Sequence, residues 1–171
     1  VPRILQYEGI SATSRMIRWL TWSSVSHTAW EMDDGRVVEA WQRGGVRVLD
    51  SFAQDHTPGT VVRAYRMPNV SHFQLDLAER YLLDQVGKPY HFNGVFRFLS
   101  RRDQQRYDPA TFRIGSWEPD HWFCSCMVFA GMMHGGSRML ERVPPWRVSP
   151  GLFNLSPKMV LDEVLEVPRA V

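Results

Sequence analysis

The chain has 171 residues, 44% hydrophobic and 22% charged, which suits a single soluble domain with its own core. A net charge of +2 is too small to argue for nucleic acid or an anionic membrane as partner. No run is long and apolar enough to span a membrane, and two cysteines, Cys124 and Cys126, do not make a disulfide framework.

Val1–Gln6 does not read as a signal peptide, and a chain that begins without Met leaves open export or delivery to the periplasm by a partner system. Arg3–Tyr7 reads as a short strand. Ser14 is placed to cap a helix over Arg15–Leu20, with Ile17 and Leu20 on one face, until Ser23-Ser24 breaks it. His27–Met32 alternates like a strand, Asp33-Asp34-Gly35 is a hairpin turn, and Arg36–Trp41 returns. Gly44-Gly45 turns the chain into a third strand of this run, Val46–Asp50, and Val61–Met67 gives a fourth. These consecutive strands, from His27 to Met67, are expected to form a meander. Ser71 and Gln74 form a capping box for a helix that carries Phe73, Leu75, Leu77, Ala78, Tyr81, Leu82 and Val86 and stops at Gly87. Lys88–Gly94 is a loop, Val95–Leu99 a short helix, and Arg101–Glu118 polar and irregular. Its neighbourhood holds the one basic cluster, Arg97, Arg101, Arg102 and Arg106, most simply a solvated loop. Ser137–Arg142 is expected to add a helical turn or two, and Met159–Val167 has strand character. Antiparallel strands with segregated helices make an α+β fold in one domain, residues 1–171.

The most informative stretch is Trp122–His134. It is apolar all round, as befits a helix buried on every side, with Glu118-Pro119-Asp120 before it and Gly135-Gly136 after it. Cys124 then falls in the first turn, where unpaired N–H groups and the helix dipole favour a thiolate. Cys126 lies two residues on and points elsewhere, so no bridge between them is expected. His27 and Glu39 flank the Asp33-Asp34-Gly35 turn. A three-residue loop sets Glu39 opposite Ala29 and diagonal to His27 on one face; a two-residue loop sets them on opposite faces. Thiol, imidazole and carboxylate together are the parts of a nucleophile, its base and the group that holds the base. The four zinc-type donors His121, Cys124, Cys126 and His134 cannot converge from one helix, so no metal site is expected. His56 and His72 are expected at the surface.

Ser26-His27-Thr28-Ala29-Trp30, Val37-Val38-Glu39-Ala40, Gly87-Lys88-Pro89-Tyr90 and Phe123-Cys124-Ser125, in that order, resemble the permuted papain-like cysteine hydrolases of the NlpC superfamily, nearest the YiiX/YaeF-like branch. The resemblance implies a thiol hydrolase without cofactor, with Cys124 as nucleophile, His27 as base, Glu39 as orienting acid and Tyr90 lining the site. Two departures stand out: Cys126 replaces the usual Glu after Cys-Ser, and His91 replaces the acidic residue after the loop Tyr, adding a titratable group beside Lys88 at the substrate. The expected substrate is an amide bond in bacterial cell-wall peptides or peptidoglycan fragments. Two alternatives stay open: lipid acyl hydrolysis or transfer, as in relatives of lecithin:retinol acyltransferase, and a binding module without turnover. Peptide is preferred over lipid because the segments expected to flank the thiol mix charges with aromatics, and because no basic amphipathic helix offers a membrane face. Oligomeric state is left open.

Overall fold

The computed structural model describes residues 1–91 and 119–169. Six antiparallel strands form one sheet: β1 (Arg3–Glu8), β2 (His27–Glu31), β3 (Val37–Trp41), β4 (Gly45–Leu49), β5 (Val61–Arg66) and β6 (Val160–Glu166), in the order β4-β3-β2-β1-β5-β6. The helices are α1 (Ala12–Thr21), α2 (His72–Asp84), α3 (Cys124–His134) and the short α4 (Pro150–Phe153), with a 3-10 turn at Pro145–Arg147.

The turn between β2 and β3 decides the site. Met32 N–H donates to Arg36 O at 2.8 Å, leaving Asp33, Asp34 and Gly35 as the loop, with Gly35 at φ 85°. A three-residue loop with glycine in the left-handed region is a common hairpin closure. Trp30 then pairs with Val38 and Glu31 with Val37, a register that carries Ala29 opposite Glu39. His27 and Glu39 therefore share a face.

The meander holds only for β2, β3 and β4. β5 pairs with β1, not β4, because the chain from Asp50 to Thr60 is far longer than a hairpin loop and carries β5 to the other side of β1. α1 starts one turn earlier than its sequence suggests. Ser11 Oγ accepts from Ser14 N–H, so Ser11 is the cap. Ser71 and Gln74 do form their capping box; the face of α2 that buries is Leu75, Ala78 and Leu82, and Phe73 stays exposed. Ser137–Arg142 is not helical; Ser137 N–H closes the end of α3 on Met132 O instead. The expectations for Val95–Leu99, Arg101–Glu118 and the arginine cluster lie outside the described residues.

One face of the sheet packs Ile4, Trp30, Val38 and Ala40 under α3, whose residues from Cys124 to Met133 are all buried. α2 covers the outer side of α3. The approach is close because Gly131 meets the Leu82 side chain and Gly135 meets the Gln74 carbonyl, where a Cβ would collide. The opposite face carries a smaller cluster of Leu5, Tyr7, Ala29, Val37, Leu49, Val62 and Ala64.

Candidate active site

The thiol, imidazole and carboxylate meet at the end of the sheet where β2 begins and β3 ends. Cys124 is the first residue of α3, after Phe123, which supplies no side-chain cap. The cysteine has the open N–H groups of that turn to itself. His27, first residue of β2, bonds Glu39 Oε2 through Nε2 at 2.7 Å and interacts directly with the Cys124 thiol.

Glu39 has no solvent exposure. Its other oxygen, Oε1, accepts from Arg47 Nε at 3.0 Å and Nη2 at 2.7 Å, because β3 and β4 pair Glu39 directly with Arg47. Arg47 in turn reaches Asp55 at 2.9 Å. A second imidazole completes the group. His56 Nε2 stands 3.2 Å from Glu39 Oε2, outside hydrogen-bond alignment, with a side chain only 5% exposed. It stacks on Tyr7 with ring centres 4.2 Å apart, and Trp41 packs edge-on against both histidines. The expectation that His56 is a surface residue fails because the loop from Asp50 to Thr60 folds back beneath the sheet. Among the described residues, the ligand atoms of His27, Glu39 and His56 form one group within 4.8 Å of one another.

Burial opposes every charge here, and the partners decide which survive. It disfavours the His27 imidazolium, but Cys124 and Glu39 outweigh it and carry that pKa up to about 10. It likewise disfavours the Cys124 thiolate. His27 and the backbone N–H groups of Thr28 and Ser125 outweigh it and lower the thiol. Glu39 is held well below the usual carboxylate range, its burial overcome by His27 and then His56. His56 moves the other way: burial lowers it most, and the charges of His27 and Arg47 add to that. The pattern is a thiolate–imidazolium pair on an ionised carboxylate, beside a neutral second histidine. Cys126 is pushed up by burial and then by the Cys124 charge.

Tyr90 is brought in by its loop. Val46 N–H bonds Lys88 O, and Tyr90 bridges to Trp122 through His91 N–H on Trp122 O and Trp122 N–H on Pro89 O. Tyr90 lines a cavity of about 260 Å³ with His27, His56, Trp41 and the hydroxyl residues Ser11, Thr13, Ser14, Ser26, Thr57 and Thr60. Burial, and then the charges of Cys124 and Glu39, raise its phenol and keep it neutral. Lys88 and His91 do not line that cavity: Lys88 Nζ bonds Gln85 Oε1 at 2.8 Å, and His91 packs edge-on against His121. His134 stacks on Tyr81, away from both cysteines.

Thr28, whose backbone N–H bears on the Cys124 thiol, brings two further buried polar side chains into the region. Gln6 and Thr28 are cross-strand partners on the face under α3, and both are fully buried. Among the described residues, neither the Gln6 amide nor the Thr28 hydroxyl has a hydrogen-bond partner. Nothing in the sequence pattern marked them. Arg47 was within reach of it, since the Gly44-Gly45 turn sets opposite charges across β3 and β4.

No family model matches the sequence, and no curated protein matches it. Among solved structures, the crystal structure of the metalloprotein YiiX from Escherichia coli O157:H7, DUF1105, is similar over 94% of each chain, with a TM-score of 0.62 and 18% identity. The fold is YiiX-like. At that identity the likeness speaks for the YiiX-like architecture alone, a six-stranded antiparallel sheet with few helices.

Proposed function

We propose that this chain is a thiol-dependent acyl hydrolase of the permuted papain-like kind. The observation that carries the reading is the His27 ring, engaged by Cys124 on one side and by the buried, ionised Glu39 on the other. The Cys124 sulfur attacks the substrate carbonyl carbon and forms a C–S bond. His27 then passes its proton to the departing nitrogen or oxygen as the bond between that atom and the carbonyl carbon breaks. Neutral His27 next takes a proton from water, whose oxygen displaces Cys124 and releases the acid. Glu39 holds the ring and stabilises its cation, and Arg47 holds Glu39. The carbonyl oxygen gains charge in both steps. Unpaired buried polar groups each cost about 1–3 kcal/mol. The Gln6 amide, cross-strand from the Thr28 whose backbone N–H bears on the thiol, is assigned here as the donor to that oxygen.

The YiiX neighbour is called a metalloprotein, and His27, Glu39 and His56 are the donors to test against a metal here. They fit poorly. Four ligands at about 2.0–2.1 Å in a tetrahedron stand roughly 3.3 Å apart, whereas His27 and Glu39 are at 2.7 Å in a direct hydrogen bond. The Arg47 guanidinium already neutralises Glu39 and sets a positive charge beside the position a cation would take. The set reads as a proton-holding network.

An amide in a cell-wall peptide is the first choice of substrate, supported by a cavity lined with hydroxyls and aromatic rings rather than a long apolar groove. A lipid acyl ester is the second, because α1 is the basic amphipathic helix that the sequence reading did not find: it carries Arg15 and Arg18 beside exposed Met16 and Trp19. The test is mass spectrometry of peptidoglycan fragments and of short- and long-chain esters after incubation with wild type and Cys124→Ala. Turnover of a peptide amide that vanishes in Cys124→Ala is expected. Thiol-dependent release of long-chain fatty acid without new amines moves the reading to lipid, and turnover that survives Cys124→Ala removes the thiol reading.

A further inference from the structure

α1 presents to solvent the residues a surface helix normally hides. None of its ten residues is buried. On a helical projection Ala12, Arg15, Met16 and Trp19 share the outer face, with Arg18 at its margin. Trp19 is 72% exposed and Trp22, which caps the helix, is 92% exposed. Trp22 sits at φ 50°, a left-handed position that favours glycine, so a bulky indole is held there against backbone preference. Trp19 lies one turn from Arg15, and Trp22 one turn from Arg18, so each ring has a cation one turn before it on the same side of the helix.

The charge of this stripe has one sign. No Asp or Glu occurs from Gly9 to Trp30. Arg15 and Arg18 form no ion pair among the described residues; each donates to a backbone carbonyl, Ile10 O at 3.1 Å and Gly9 O at 3.4 Å. Ser11, Thr13, Ser14 and Ile17, on the inner side of the same segment, line the cavity beside His27.

We infer that α1 with Trp22 is a docking surface for an anionic lipid bilayer. Tryptophan sits best at the headgroup level, where its ring is in an apolar layer and its N–H is wet. The arginines meet lipid phosphates, and the stripe leaves no carboxylate to repel them. The modest net charge of the chain does not bear on this, since the attraction is local to one helix. Docking holds the cavity, which the inner side of this segment lines, close to the bilayer surface and so close to a substrate carried there. The inference rests on α1 and not on the thiol chemistry, and each can fail without the other.

The test uses the Cys124→Ala chain, which separates binding from turnover, with vesicles of phosphatidylcholine alone or with one part in four phosphatidylglycerol. Expected is flotation with the anionic vesicles and a blue shift of Trp fluorescence. Trp19→Ala with Trp22→Ala abolishes both, and Arg15→Gln and Arg18→Gln each weaken binding about fivefold. Arg15, Trp19 and Trp22 are exposed and Arg18 is half-buried, and an unchanged melting temperature confirms that the variants fold. Absence of vesicle binding, or undiminished binding in the double Trp variant, overturns the inference. So does finding that the Trp substitutions instead dissolve a lipid-free dimer, which makes the stripe a contact between copies.

Discussion

Replacing Glu39 by Gln keeps the shape of the side chain and removes its charge. Unit charges about 4 Å apart at an effective dielectric of about 20 interact by about 4 kcal/mol. One pKa unit corresponds to about 1.4 kcal/mol, so the loss lowers His27 by roughly three units, from about 10 toward neutrality. The same energy is withdrawn from the thiolate–imidazolium form, whose population relative to the neutral pair falls by two to three decades. The fold should survive, because Arg47 keeps Asp55 as a partner when Glu39 is neutral. The assay is the alkylation rate of Cys124 by iodoacetamide across pH, followed by intact mass in a Cys126→Ala background. In the parent, reactivity persists as a plateau below pH 7. In Glu39→Gln the plateau drops and the main rise moves toward the ordinary thiol range. A profile within threefold of the parent at every pH would falsify the role given to Glu39.

Gln6→Leu removes an unpaired buried amide, so it should raise stability by about 1 kcal/mol. Turnover should fall by about two decades as an oxyanion donor is lost; unfolding curves and rate constants measured on one sample check the split, and unchanged turnover excludes Gln6 from the site. Stability should be flat from pH 6.5 to 9, because the folded thiolate–imidazolium pair and the unfolded thiol–imidazole each hold one proton. Cys124→Ala removes the strongest charge raising His27 and leaves Glu39 alone against burial, so the pH window in which the His27 contribution is lost moves down toward pH 6.5, which urea midpoints across that range will read. On the acid side the Glu39 contribution is present above pH 4.5 and lost as pH falls toward its depressed value; acid titration of Glu39→Gln should lack that loss. EDTA should leave thiol alkylation and turnover unchanged, and a loss restored by added zinc would contradict the proton-holding reading of His27, Glu39 and His56.

What was legible in the sequence was local. The Asp33-Asp34-Gly35 turn marked the hairpin and narrowed its register to two choices, of which the three-residue loop sets His27 and Glu39 on one face, and the caps around Trp122–His134 put Cys124 in a first turn. The pairing of β5 with β1 was not legible, because strand order depends on how a long connection crosses the sheet and not on alternation within a strand. His56 was hidden for the same reason: a polar loop with Pro58-Gly59 reads as solvated, and only its return under Tyr7 and Trp41 buries it. The outer side of α1 is not legible from periodicity, which marks the half-buried Ile17 and Leu20 and carries no signal for the exposed Met16, Trp19 and Trp22.

The central claim is that Cys124 is a thiolate at neutral pH because the His27 imidazolium beside it carries the opposite charge and Glu39 keeps that ring protonated. Ultraviolet absorbance of the thiolate, titrated from acid to base in the Cys126→Ala chain and in Cys124→Ala, measures this directly. The account predicts one thiolate already formed well below the ordinary thiol pKa of about 8.5, absent from Cys124→Ala and shifted upward by His27→Ala. A Cys124 that ionises only at or above about 8.5, with no response to His27→Ala, would contradict it.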